Sequence, residues 1–554
     1  MWRKSSIIVV LGSFLLGIAI YTGPLFSASS IELELIGRAT VPSGVAEIAA
    51  YDKESQRLFV SNSEEDGMEI FDISDPSDPV HVTSVSIENW GTGINSVAVN
   101  RYGLVAVAVE RSVEVSIPDD DDDDYDVPQE GVVVFFDAQG NFLHLVGVGF
   151  LPDMLTFTKN GRCLLVANEG EPSADYAVDP EGSVSIIKIP KKLKDITQAS
   201  VQTVDFRSLN GQEESLDGSI RTFGPEASVA QDLEPEYIAI SSNSKYAYVT
   251  LQENNAIAVI DIRRARLVDI FGLGYKDHSV AGNGMDSSDK DDTINIQTRP
   301  VMGLPMPDAI GTVRYRGRDI LFTANEGDAR EYDGFEEEEK VKDLVLDSVA
   351  FPDAENLQGQ GVMGNLRVTT TMGDEGNDGD FEELYSFGTR SFSAYAYGKK
   401  GDEWVYDSGD DFEQITANLI PDYFNSQDGD PDEFDKRSDN KGPEPEGLAI
   451  GRFYSRNYAF ICLERTGGVM VYDLKNPLEP EFVQYWNSVM EDNIDTDVSS
   501  SSESVIATDI SPEGLLTIPR KDSPNKTPLV ILSHEVSGTI TILQANKVRV
   551  SRNR

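Results

Sequence analysis

Apolar residues in this chain fall into short runs of strand character, and the runs recur in a three-part frame. The frame opens on a proline followed by an acid and an apolar stretch: Pro152-Asp153, Pro235-Glu236, Pro307-Asp308, Pro445-Glu446 and Pro512-Glu513. A turn leads to a second apolar run that ends at or near an acid, as in Leu164-Leu165-Val166-Ala167-Asn168-Glu169 and Ile320-Leu321-Phe322-Thr323-Ala324-Asn325-Glu326. A third run alternates apolar residues, for example Ala256-Ile257-Ala258-Val259-Ile260-Asp261. Strand triplets at a long, regular period mark a radial array, in which each unit buries its apolar faces against its neighbours.

Weaker copies around Glu47-Ile48-Ala49-Ala50 and Ser96-Val97-Ala98-Val99 precede these five and bring the count to seven. The pattern therefore predicts an all-β fold, a seven-bladed β-propeller over residues 31–544. Fourth strands follow most third runs, as at 81–85 and 142–146, but the seventh copy has none of its own. Residues 31–36, Ile31-Glu32-Leu33-Glu34-Leu35-Ile36, are expected to supply it. A propeller closed by its N-terminal strand leaves no open sheet edge.

Outside the repeat, Arg3 and Lys4 precede an apolar run over 7–20 and small residues Ser27-Ala28-Ser29. Residues 1–29 read as a secretory signal, either cleaved near Ser29 or retained as an anchor. Residues 545–554 form a basic tail rather than an anchor, so any membrane attachment is expected through an uncleaved N-terminal segment. Cys163 and Cys462 fall in second strands of the third and sixth copies, too far apart around a ring to bridge, and read as free thiols. Asn525-Lys526-Thr527 is a glycosylation sequon in a polar turn.

Charge narrows the function. The chain carries 95 Asp and Glu against 46 Lys and Arg, a formal net charge of −49. Such a surface repels nucleic acid and attracts divalent cations, while also favouring a soluble monomer. Asp119 to Asp124 read as a solvated, self-repelling loop. A long insertion, 328–380, begins at Asp328 and closes on Gly373-Asp374-Glu375-Gly376-Asn377-Asp378-Gly379-Asp380. Asp374, Asp378 and Asp380 there suit either a calcium loop or a plain acidic turn, without the spacing of an EF-hand, and Asp328 is a further candidate metal ligand.

The first strand of each blade lines a propeller's channel. Asp153, Glu236, Asp308, Glu446 and Glu513 are therefore expected around its mouth. The acids closing the second strands, Glu169, Glu253, Glu326, Glu464 and Glu535, are expected at the opposite end unless a turn returns them. Carboxylates this crowded require compensation, from a divalent metal such as Ca²⁺ or from basic side chains. Arg330, Arg390, Arg437, Lys441 and Arg465 are the candidates: they either pair with the ring acids or, beside a metal, clamp a phosphate. No catalytic triad, phosphate-cradling glycine loop or zinc signature accompanies them, and only four histidines are present.

Long stretches of the chain resemble the choice-of-anchor I family. They include Ala167 to Tyr176, Tyr248 to Asp261, Ala324-Asn325-Glu326-Gly327-Asp328-Ala329-Arg330-Glu331-Tyr332, Phe387 to Ser393 and Arg437 to Gly447. The resemblance extends over about residues 31–544. It implies a seven-bladed propeller with extracellular exposure and, in some members, phosphatase activity. Family members often end in a cell-surface anchor, a pattern from which this chain departs. Two readings follow. One is a secreted or cell-surface binding or adhesion module with a calcium-holding, acid-lined centre, taking a small anionic ligand or an extracellular protein or glycan. The other is a metal-dependent phosphoesterase.

Overall fold

The strands sort by layer, and their burial shows why the pattern is readable. Ala256–Asp261 and Val469–Asp473 are buried at every position, because both faces of these third strands are covered by neighbouring sheets. The outer strand Val80–Ser86 alternates exposed and half-buried residues instead. These features belong to a computed structural model that describes residues 31–548, apart from 43, 116–124, 193–194, 399–400 and 492–508. The N-terminal segment 1–29 and the aspartate run 119–124 lie outside the described residues.

Among the described residues are seven four-stranded sheets, each antiparallel throughout. Their innermost strands are Ala49–Asp52, Gly93–Val99, Pro152–Phe157, Pro235–Ile240, Ile310–Tyr315, Pro445–Phe453 and Pro512–Ile518. Each inner strand packs against the next, and Pro512–Ile518 returns to Ala49–Asp52. Six sheets are built from consecutive strands, interrupted only in the fifth. The other sheet joins Pro512–Ile518, Leu529–His534 and Thr539–Lys547 to Ile31–Thr40 from the opposite end of the described chain. Thr539–Lys547 runs into the segment read as the basic tail.

The long insertion is not the loop that its charge suggests. It interrupts the fifth sheet between Arg318–Asn325 and Ser391–Tyr397. Glu338–Lys340, Arg367–Thr369 and Tyr385–Phe387 join Lys276–Asp277 and Met302–Leu304 in a separate five-stranded sheet. Met285, Val301, Val341, Met363, Leu366 and Val368 give this unit its own apolar core. Most of its acids are solvated, but Glu337 is buried against Arg221. A sparse hydrophobic set, spread over 285–384, conceals the core from a reading based on local runs.

Candidate metal centre

The proline-acid pair aims a carboxylate by backbone geometry. Proline is tolerated at the first residue of a strand because it has no N–H to contribute to the ladder. Just after it the register slips: between Pro152 and Leu155, Pro235 and Ile238, Pro445 and Leu448, and Pro512 and Gly514. Such bulges re-aim side chains at functional sites. Asp153, Glu236, Glu446 and Glu513 stand inside them. The residue ahead of the proline is also left-handed in four copies: Leu151 (φ 41°), Met306 (φ 40°), Glu444 (φ 53°) and Ser511 (φ 54°). Non-glycine residues held there store strain, which collects at functional sites.

The inner strands surround a cavity of about 200 Å³. Asp153, Glu236, Asp308, Glu446 and Glu513 line it, with residues from the first two sheets completing the wall. The second-strand acids were expected at the far end, and the register corrects this. Pro152 pairs with Asn168, Pro235 with Leu251 and Pro445 with Leu463. The start of each first strand therefore lies beside the end of its antiparallel partner, and both sets of acids share one end. Glu169 and Glu326 accordingly line the same cavity.

On one side of the axis, Glu169, Glu236 and Glu253 bring carboxylate oxygens within 4.8 Å of one another. Glu236 and Glu253 are only 8% and 6% exposed. One oxygen of each, Oε2, is buried without a hydrogen-bond partner. None of the three acids forms an ion pair with a described residue. Burial, then the neighbouring carboxylates, pushes Glu169 and Glu236 well above the usual carboxylate range. Burial also lifts Glu253, to about 8 even with Arg330 in its field. An uncompensated set of this kind has the chemistry of a hard-cation site, and the cavity leaves room for further oxygen ligands from water.

A second group, Glu326, Glu444 and Glu464, is equally close-set but already compensated. Lys441 Nζ lies 2.9 Å from Glu326 and 3.8 Å from Glu444. Arg437 lies 2.5 Å from Glu444, and Arg465 lies 3.3 Å from Glu444 and 2.8 Å from Glu464. Despite full burial, Lys441, Arg437 and Arg465 hold Glu444 below its ordinary range. Burial raises Glu464 to about 8.

The remaining candidates disperse. Arg330 points away from the cavity to Asp232 and to Glu234 at 2.6 Å, and stacks on Phe223. Arg390 is held by Glu413 at 2.6 Å and by the carbonyls of Ser438 and Asn440. Neither supports the reading as a partner of the ring acids. Asp328 is exposed and lies 3.5 Å from Lys441. Glu535 bears on Glu513 and Glu47. Asp378, exposed, gathers with the half-buried Asp380 and Glu382. Asp374 does not join them, because its oxygens accept the backbone N–H groups of Asp378 and Gly379. Asn525 is exposed in its turn, and both cysteines are free thiols.

Sequence reasoning missed Glu444, Glu234, Glu47 and Glu171. A signal for two of them stood in plain view: Glu234-Pro235-Glu236 and Glu444-Pro445-Glu446 share one frame, in which the first Glu meets arginine and the second faces the axis.

A family model described as the choice-of-anchor I domain matches residues 47–477. Gigasin-3a of Magallana gigas is 29% identical over 191 residues, covering 34% of this chain and 66% of that protein. Mesenchyme-specific cell surface glycoprotein of Strongylocentrotus purpuratus is 29% identical over 276 residues, 44% of this chain and 35% of that protein. The chain spans less than two thirds of the length of either relative. Kuenenia stuttgartiensis hydrazine synthase aligns with a TM-score of 0.43 and 11% identity over 96% of this chain and 99% of that one. The β-propeller domain of Myceliophteria thermophila Cps50 (Swd1) aligns with a TM-score of 0.42 and 7% identity over 93% and 99%.

Proposed function

This chain belongs to the choice-of-anchor I domain family, and from that premise and the axial geometry we propose that it is an extracellular or cell-surface binding module centred on a divalent cation. In this reading the seven four-stranded sheets are the blades of one propeller, and Ile31–Thr40 closes the ring. The nine Cα pairs that this strand makes with Thr539–Lys547 support the closure. Deleting residues 31–36 is then expected to lower the melting temperature of the whole propeller, where a decorative strand would only fray.

The observation that carries the metal reading is the trio Glu169, Glu236 and Glu253, with two buried carboxylate oxygens unpartnered. Ca²⁺ suits it best, because the donors are all hard oxygens and the cavity admits a high coordination number. The surface location rests on family membership and on the name of the sea-urchin relative. The phosphoesterase alternative is less well supported. It needs a basic side chain free to clamp phosphate beside the metal, whereas Arg330, Arg437, Lys441 and Arg465 are committed to carboxylates.

Metal analysis and calorimetric Ca²⁺ titration of the purified chain test the proposal. One bound ion is expected in the wild type. It should be lost on combining Glu236→Gln with Glu253→Gln, and kept in Glu464→Gln. Equal loss in both variants, or no divalent cation in the wild type, would overturn it.

A further inference from the structure

A second cleft lies away from the axis, with a volume of about 740 Å³. Its walls come from 289–290, the insertion at 340–367 and the loop at 427–440, with Ile510 added from the last sheet's approach. They are pinned together, since Asn365 Nδ2 donates to Asp289 Oδ1 at 3.1 Å and the Arg367 N–H donates to the Asp439 carbonyl at 3.0 Å. The cleft is preformed.

Its chemistry runs against the rest of the chain. Lys290, Lys340, Lys342, Arg367, Lys436 and Arg437 all line it, in a protein with twice as many acids as bases. Lys340 and Lys436 make no ion pair with a described residue, and Lys342 Nζ meets only the neutral amide oxygen of Asn365, at 3.1 Å. Arg367 pairs with Glu338 at 2.5 Å but keeps Nε buried and unpartnered. The acids in the same wall are partly occupied: Asp289 by Lys290 and Asn365, Asp428 by Arg465 at 2.9 Å, and Asp439 by the fields of Arg367, Lys290 and Lys340, with none of which it forms an ion pair. Cations left free in so acidic a molecule mark a place for an anion brought from outside.

The remaining lining narrows the ligand. Gln360, Asn365, Gln427 and Asn440 offer amides, Asp430 and Glu433 offer carboxylates, and Ile510 is the one apolar side chain. Amides and carboxylates suit sugar hydroxyls, and a drug-sized apolar ligand would find no surface to bury. The volume falls within the roughly 300–1,000 Å³ of ligand-sized pockets. We infer that this cleft binds a saccharide carrying a sulfate or phosphate ester, with the oxyanion on Lys340, Lys342 and Lys436 and the hydroxyls on the amide and carboxylate wall.

Calorimetric titration of the full chain in Ca²⁺-containing buffer tests this with an O-sulfated disaccharide, the phosphate monoester of the same sugar, and the unmodified parent. At least one ester is expected to bind saturably, and the parent at least tenfold more weakly. Which ester binds identifies the source of the oxyanion. Lys340→Glu with Lys436→Glu should weaken the ester at least tenfold while the melting temperature holds; if that pair fails to fold, Lys436→Gln alone, at an exposed site, should still weaken it measurably. Glu236→Gln should leave ester binding unchanged. Binding of neither ester at millimolar concentration, equal binding of the parent, or wild-type affinity in the folded lysine variants would overturn the assignment.

Discussion

Two carboxylate trios flank the same axis, and each draws one acid from a Glu-Pro-Glu frame, Glu236 as the second acid of its frame and Glu444 as the first, yet their electrostatics differ. Glu234-Pro235-Glu236 and Glu444-Pro445-Glu446 each place one acid outward and one toward the cavity. At the Glu444 trio, the loop from Arg437 to Lys441 folds back, so that Lys441, Arg437 and Arg465 converge on the acids. At the Glu236 trio, the nearest comparable cation, Arg330, is drawn off by Asp232 and Glu234. One trio is sealed by the protein's own cations, and the other is left for a cation from solution. The presence of acids at a propeller mouth therefore says little by itself. Where the neighbouring arginines are spent decides whether a metal is needed.

The largest effect should come from unsealing the compensated trio. Lys441→Met strands Glu326 in the interior while Glu444 keeps Arg437 and Arg465, and removing one partner of a buried pair costs about 3–5 kcal/mol. Denaturant unfolding measures this, and a loss below about 1 kcal/mol, the scale of an exposed pair, would break the comparison. Next in size is the response of the open trio to Ca²⁺. At a hundredfold excess over Kd, a ligand bound only by the folded state adds about 2.7 kcal/mol. Thermal unfolding should show this gain in the wild type and lose it on combining Glu236→Gln with Glu253→Gln.

A smaller effect, on the order of 1 kcal/mol, sets Glu253 of the open trio against Glu444 of the sealed one by pH in metal-free buffer. Glu253 is raised to about 8, so the folded state holds its proton more tightly than the unfolded chain does. Its contribution is fully present below the ordinary carboxylate value and is lost as pH rises through about 8. Glu444 is held below the ordinary value and behaves oppositely, so its contribution is lost as pH falls through that lower value. The difference between the melting temperatures at pH 5 and pH 8 should shrink in Glu253→Gln. If that variant kept the wild-type slope, the open trio would not be the seat of the uncompensated charge.

Much of this architecture was legible because each strand obeys its layer. The proline-acid pairs, the second-strand acids and the all-β repeat are local patterns, and local patterns survive in a linear text. The ends shared by Asp153 and Glu169 were misplaced only through neglect of antiparallel register, which puts the start of one strand beside the end of the next. The fates of Arg330 and Arg390 were not legible. Their partners lie 98 and 23 residues away, and nothing in the spacing chooses Asp232 or Glu413 over an axial acid. The folded insertion escaped for the same reason, since its core joins residues on both sides of an inner strand of the fifth sheet.

The pairing of Ile31–Thr40 with Thr539–Lys547 bears on how the molecule would carry load. Ile31 sits opposite Lys547 and Thr40 opposite Thr539, so both ends of the described chain leave from the same end of two paired neighbouring strands. Tension applied between those ends would peel the hydrogen-bonded pairs apart one after another, as a zip opens, and would never strain them together in shear.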